Sequence, residues 1–259
     1  MKTIIFLTVL AAVLFLLCAA VSADWLPEGT PVCVSPGDQR HIVMATDGAG
    51  GAYIAWDDTR SDYDVFIQRL DWQGMPLWAA NGLLVCNAAD DQTRPAITAD
   101  GAGGVIVAWS DQRDGNDGDL YVQRFNDAGT ALWTANGVPV KIDSWGNGSI
   151  DMISDGSGGA FIAWQYSGGS GTFPNDIYVQ HVNSLGVPQW TPGGVGVCTL
   201  SWNQFDPIVV TDGAAGVIIS WEDRRDMGTR QYAQRVSSGG LPMWTTDGIV
   251  LADTATGQD

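Results

Sequence analysis

Short apolar runs alternate along this chain with glycine- and aspartate-rich turns, and the runs are too brief for helices. Residues 105–109 (Val-Ile-Val-Ala-Trp) form one such run, which fits a strand covered on both faces. A strand at 95–99 precedes it. The turn between them, Asp100-Gly101-Ala102-Gly103-Gly104, carries glycines that permit positive φ at little cost. Residues 120–125 read as a third strand. Residues 131–140, interrupted at Asn136-Gly137, read as a fourth. A 3.6-residue apolar period is absent, and no capping box opens one. The pattern predicts a four-stranded antiparallel unit, its strands lettered a to d in chain order.

That unit recurs. Asp-Gly pairs begin at Asp47, Asp100, Asp155 and Asp212, and a tryptophan follows each after nine residues: Trp56, Trp109, Trp164, Trp221. Gln68, Gln123, Gln180 and Gln234 come next, each followed ten residues later by Trp78, Trp133, Trp190 or Trp244. From that tryptophan to the next Asp-Gly is always 22 residues, including Trp25 to Asp47. Only the interval from first tryptophan to glutamine varies, through 12, 14, 16 and 13 residues. One unit cannot cover its own apolar faces, so neighbours must stack. The expected fold is all-β: a β-propeller of four-stranded antiparallel blades, about four of them, at roughly 40–87, 93–142, 148–199 and 205–252. A solenoid or other repeat stack is the alternative. Residues 24–34 match a strand d without a blade, and 253–259 read as the start of a further blade, so the ring is expected to be incomplete. Exposed edges at its ends would favour self-association.

Residues 1–23 stand apart: Lys2, an apolar run, then small residues closing at Ala23, the form of a cleavable secretory leader. This predicts a secreted, extracellular or periplasmic protein with no membrane span once the leader is removed. The formal charge is −17, and Glu28 and Glu222 are the only glutamates among the acidic residues. Aspartate in that excess suits turns. The charge excludes the basic footprint that nucleic acid requires. Cys33, Cys86 and Cys198 share one repeat position, too far apart in separate blades for disulfides, and are expected as free, partly buried thiols.

The sequence Asp-Gly-x-Gly-Gly, an apolar run, Trp-x-Asp-x-Arg, Tyr-Val-Gln-Arg, Gly-x-x-Leu-Trp and Gly-Val-Pro-Val resembles bacterial secreted β-propeller repeat proteins over the whole chain after the leader. The resemblance implies the fold; most of that family has no assigned activity. The Gly129-x-x-Leu132-Trp133 segment is similar to part of quinoprotein-type repeats, whose remaining pattern is missing. No blade carries the Ser-x-Asp-x-Gly-x-Thr-Trp turn of sialidase-type propellers.

Candidate chemistry follows from the departures and the charges. Asp58 with Arg60, Asp111 with Arg113 and Asp223 with Arg225 follow the first tryptophan of three blades, whereas the third blade has Tyr166 and Gly168 there. These pairs read as blade-to-blade ion pairs or as charges lining a binding face. His181 replaces the arginine that follows the glutamine in the other blades, and the same blade has the longest loop, 165–176. Asp58, Arg60, Asp111, Arg113, Tyr166, His181, Asp223 and Arg225 are therefore the binding candidates. Asp114, Asn116, Asp117 and Asp119 could wrap a calcium ion, although the distal glutamate of an EF-hand is lacking. No other cofactor is implied. No histidine pair has metal spacing, and no catalytic triad is legible.

The first functional expectation is a non-catalytic extracellular scaffold presenting its variable loops to a protein or glycan. One alternative is a polysaccharide hydrolase or lyase with an axial aspartate site, which needs carboxylates that differ between blades. Another is a structural segment of a larger adhesin-like protein.

Overall fold

A computed structural model describes residues 29–60, 62–115, 118–143, 146–168, 175–225 and 228–252. The leader, residues 24–28 and the expected further blade at 253–259 lie outside the described residues. The first sheet comprises β1 (Gln39–Thr46), β2 (Ala52–Asp58), β3 (Asp64–Leu70) and β4 (Leu83–Leu84). The second comprises β5 (Gln92–Ala99), β6 (Val105–Asp111), β7 (Asp119–Phe125) and β8 (Val138–Lys141). The third comprises β9 (Asn147–Ser154), β10 (Ala160–Tyr166), β11 (Asp176–Val182) and β12 (Val195–Cys198). The fourth comprises β13 (Gln204–Thr211), β14 (Val217–Asp223), β15 (Arg230–Val236) and β16 (Ile249–Ala252). Each sheet is an antiparallel meander in chain order, and no helix occurs among the described residues. The fold is the expected one: four propeller-type blades in an unclosed ring.

The repeated polar residues build the frame. In the second blade Asp100 Oδ1 accepts from the N–H groups of Ala102 and Gly104, both at 2.7 Å, and its other oxygen takes Arg124 Nε at 2.8 Å. Burial alone would raise the pKa of Asp100, but the two N–H groups and the guanidinium outweigh it and hold the carboxyl below the usual range. The strand-c glutamine completes the blade. Gln123 Oε1 accepts from the Arg124 and Trp133 N–H groups at 2.9 and 3.0 Å, and its amide donates to Thr134 O at 2.8 Å. Gln68, Gln180 and Gln234 do the same in their own blades. The ten-residue glutamine-to-tryptophan spacing is thus the reach of one side chain across to the last strand.

Blades meet through apolar cores formed by the two central strands. One core joins Tyr53, Ala55 and Ile67 to Val105, Val107 and Trp109; equivalent cores join the second blade to the third and the third to the fourth. The strand-d tryptophan then reaches over the next blade. Trp78, Trp133 and Trp190 donate Nε1–H to Asp127 O, Ser184 O and Ser238 O, each at 3.0 Å.

At the two ends of the stack this packing stops. Leu251 is 57% exposed, whereas Val85, Val140 and Val197 at the same repeat position are 6%, 5% and 2% exposed. Met44 is 64% exposed and Met152, its repeat equivalent, only 7%. The two methionines are a matched pair for measuring what blade stacking contributes. Met152→Ala is expected to cost about 2–5 kcal/mol, and Met44→Ala no more than about 0.5 kcal/mol, read as denaturant midpoints on the same chain.

Candidate functional site

The first strands of the blades converge: β1 contacts β5, β5 contacts β9 and β9 contacts β13. In three of them the strand bulges near its start. The register slips between Arg40 and Val43, between Thr93 and Ala96, and between Phe205 and Ile208, where two residues oppose one. The bulged residues His41, Arg94 and Asp206 have φ of 46°, 53° and 49°. A non-glycine residue in that region costs about 1–2 kcal/mol, and bulges of this kind re-aim side chains beside functional sites. Ser149 occupies the same repeat position in β9, where β9 slips against Trp164 and Tyr166 of β10. All four stand six residues before an Asp-Gly pair. The backbone device is shared by three blades, yet the side chain is different in all four.

Three of these positions open on one cleft of about 490 Å³, lined by His41, Ile42 and Val43, by Arg94 and Pro95, and by Ser149 and Ile150; Asp206 reaches its edge through Ser149. That volume falls within the range of small-molecule sites, about 300–1,000 Å³. His41 is half exposed, and its Nδ1 lies 2.7 Å from Oδ1 of Asp57, which is 1% exposed. The same oxygen accepts from the Arg94 N–H at 3.3 Å, while Asp57 Oδ2 is buried without a partner. A carboxylate facing Nδ1 fixes the tautomer, so Nε2 is the basic nitrogen of the ring. Across the cleft Ser149 Oγ donates to Asp206 Oδ1 at 2.5 Å. Asp151, whose counterparts in the other blades are Val43, Ala96 and Ile208, accepts from Val209 N–H at 2.7 Å. Burial pushes the Asp151 carboxyl upward. The first two blades thus line the cleft with a histidine and an arginine and the third with Ser149, which carries Asp206 of the fourth blade beside it.

The residues expected from sequence to bind are placed elsewhere, within the blades. Asp58, Asp111 and Asp223 are buried, and each accepts from its blade's tryptophan Nε1, at 3.2, 2.7 and 2.9 Å. Arg60, Arg113 and Arg225 close on those carboxylates at 2.5–2.6 Å. Each guanidinium also lies 3.3 Å from Cys33, Cys86 or Cys198 of the preceding strand d. The three cysteines are free thiols, and each belongs to this staple. In the third blade the whole set changes together. Tyr166 and Gly168 replace the pair, Lys141 replaces the cysteine, and Lys141 Nζ sits 4.6 Å from the Tyr166 ring centre. Trp164 Nε1 is left buried without a partner. His181 takes the place of a strand-c arginine, with Nε2 2.9 Å from Asp155 and its ring stacked on Phe161 at 4.4 Å. Residues 169–174 of the loop 165–176 lie outside the described residues.

Asn116 and Asp117 of the expected calcium loop also lie outside them. Asp114 is exposed, whereas Asp119 is fully buried. Among the described residues no group of three or more side chains is able to hold a metal. Burial lifts the Asp119 carboxyl to about 6, and does the same to Asp176 at the equivalent position of the next blade. Both have an oxygen without a partner. A folded pKa above the unfolded value means that stability falls as pH rises from about 4 through about 6. Asp176→Asn is therefore expected to stabilise the protein by about 1–3 kcal/mol at pH 8 and to change nothing near pH 4, as read from thermal melting at the two values.

No family model matches the chain, and no curated protein matches it. Several solved structures share its fold. An endo-arabinase from Bacteroides thetaiotaomicron is 14% identical with a TM-score of 0.51, over 86% of this chain and 84% of that one. A Hadza microbial sialidase is 14% identical with a TM-score of 0.54, over 83% of this chain and 47% of that one. An ulvan lyase is 13% identical with a TM-score of 0.51, over 78% of this chain and 56% of that one. The chain thus spans about half the length of the last two. These likenesses overturn the expectation of a non-catalytic scaffold: the blades match those of enzymes named for acting on glycans. An axial site needs carboxylates that differ between blades, and most aspartates of the repeat recur. The informative column was instead the one that does not recur, and comparing blades residue by residue before Asp-Gly would have found it.

Proposed function

We propose that this chain forms part of a glycan-cleaving propeller enzyme whose reaction takes place in the axial cleft, outside the cytoplasm. The observation that carries the reading is the single repeat position holding His41, Arg94, Ser149 and Asp206: four chemistries, with the left-handed bulge in three blades and three of the side chains lining one cleft, the fourth bonded to Ser149. A structural role in the frame would favour the same residue in each blade, as it does for the glutamines.

Cleaving a glycosidic bond requires a proton for the departing oxygen and a base or nucleophile opposite it. His41, oriented by Asp57, presents an imidazole nitrogen as a proton donor or acceptor. Asp151, raised by burial, favours its protonated form more than an ordinary aspartate does. Asp206, held by Ser149, adds a second carboxylate from the neighbouring strand. Likeness to an arabinase, a sialidase and a lyase supports glycans as the substrate class.

The test is incubation of the purified chain with neutral, uronate-containing and sulfated polysaccharides. New reducing ends would be quantified together with ultraviolet absorbance of unsaturated ends. Cleavage of at least one polymer is expected. Saturated products would assign hydrolysis and unsaturated ones elimination. Absence of any product across the panel would refute the reading.

A further inference from the structure

We propose that Arg94 recognises an anionic substituent, a carboxylate or a sulfate, on the glycan that enters the cleft. The inference deepens the reading of the cleft as the reaction site and rests on it.

The distribution of arginine partners carries the argument. The frame commits its guanidinium groups to aspartates: Arg60, Arg113 and Arg225 after strand b, and Arg69, Arg124 and Arg235 on strand c. Arg40 pairs with Asp38, and Arg224 lies over the Phe205 ring. Arg94 differs. No ion pair or ring contact engages its side chain among the described residues, although the chain carries a formal charge of −17 and aspartates are everywhere. Its backbone is nevertheless held firmly. The N–H donates to the buried Asp57, and φ is 53°. A strained, anchored backbone presenting an exposed, unpaired guanidinium to a cleft is the arrangement expected of a group reserved for a ligand.

Charge explains why one arginine would decide the matter. A chain this acidic repels polyanions at long range, but the Debye length at physiological salt is about 8 Å. Within that distance the nearest charges govern. Arg94 stands at one side of the cleft with its guanidinium exposed, where the carboxylate of Asp57 is buried and turned to His41 and the Arg94 N–H, and Asp151 and Asp206 belong to the strands at the other side. An anionic substituent therefore has one favourable end of the cleft and one unfavourable end, which would orient the sugar as well as hold it. A planar guanidinium matches a carboxylate or a sulfate through two parallel hydrogen bonds, which an ammonium group cannot reproduce.

The experiment measures binding and cleavage of three probes by the full chain: polygalacturonate for carboxylates, a sulfated galactan for sulfates, and unsubstituted galactan as the neutral control. Wild type is expected to prefer one of the two anionic polymers, and which one it prefers identifies the substituent. Arg94→Gln should weaken that preference about ten- to a hundred-fold. Arg94→Lys should restore only part of it. Arg224→Gln, which makes the same change in net charge outside the cleft lining, should leave it intact, and unchanged melting curves should show that all variants are folded. Equal handling of neutral and anionic polymers, or anionic preference undiminished in Arg94→Gln, would overturn the inference while leaving a glycan-cleaving cleft in place. Failure of wild type to bind or cleave any glycan would overturn both.

Discussion

Asp57→Asn is expected to lower the rate constant for glycan cleavage by about 10²–10⁴-fold while leaving KM and the melting temperature close to wild type. The substitution keeps the shape of the side chain, and its carbonyl oxygen still accepts from His41 Nδ1 and the Arg94 N–H, as the carboxylate oxygen does at 2.7 and 3.3 Å. What disappears is the negative charge that stabilises the imidazolium formed when His41 takes a proton. Asp57 is 1% exposed and touches His41, so the role proposed for it is positioning and electrostatic. A purely structural role would instead move the melting temperature, and KM would move with it. His41→Ala should lose at least as much activity, and combining the two substitutions should add little, because both interrupt the same proton path.

The second large effect concerns the frame. Gly137→Ala is expected to destabilise the protein by about 2–5 kcal/mol. Gly137 has φ of 88°, and a Cβ placed there would stand 2.4 Å from the Trp109 ring and 3.2 Å from Val122 O. The left-handed backbone accounts for about 1–2 kcal/mol, and forcing a methyl group into a packed core for about 1–3 kcal/mol. Trp109 cannot retreat, because its Nε1 is tied to Asp111 at 2.7 Å and its ring is fully buried. Gly103 provides the control. Its φ is 89°, yet nothing lies within 4 Å of the position a Cβ would take. Gly103→Ala should therefore show the backbone cost alone, about 1–2 kcal/mol. Equal losses at the two positions, measured by denaturant unfolding, would mean that the tryptophan packing contributes little.

The frame was legible because it repeats. The Asp-Gly pair reads directly as a hairpin, and the structure adds that Asp100 caps it while drawing in Arg124. The last strand was less legible. Residues 131–140 read as one interrupted strand, but the ladder is confined to Val138–Lys141, with a single bridge at Ala131. Gln123 holds Trp133 and Thr134 by its side chain, so that stretch stays attached without forming a strand. The candidate site was illegible for the opposite reason. Nothing in Arg-His-Ile-Val, Thr-Arg-Pro-Ala or Phe-Asp-Pro-Ile announces a bulge or a positive φ, because the residues that adopt it are histidine, arginine and aspartate instead of glycine. The Asp-Arg pairs drew attention because they recur and carry charge. Recurrence in a repeat marks what every blade needs to fold, and the unequal column is where the proposed chemistry would be divided among the blades.

That division is tested most directly by the rate of polysaccharide cleavage in two variants of the full chain, Asp206→Asn and a deletion of residues 170–173 from the longest loop. The axial variant should lose at least about 100-fold and the deletion should cleave as wild type does. Activity that survives at Asp206 and vanishes with the loop would contradict an axial site and return the chemistry to the blade rim.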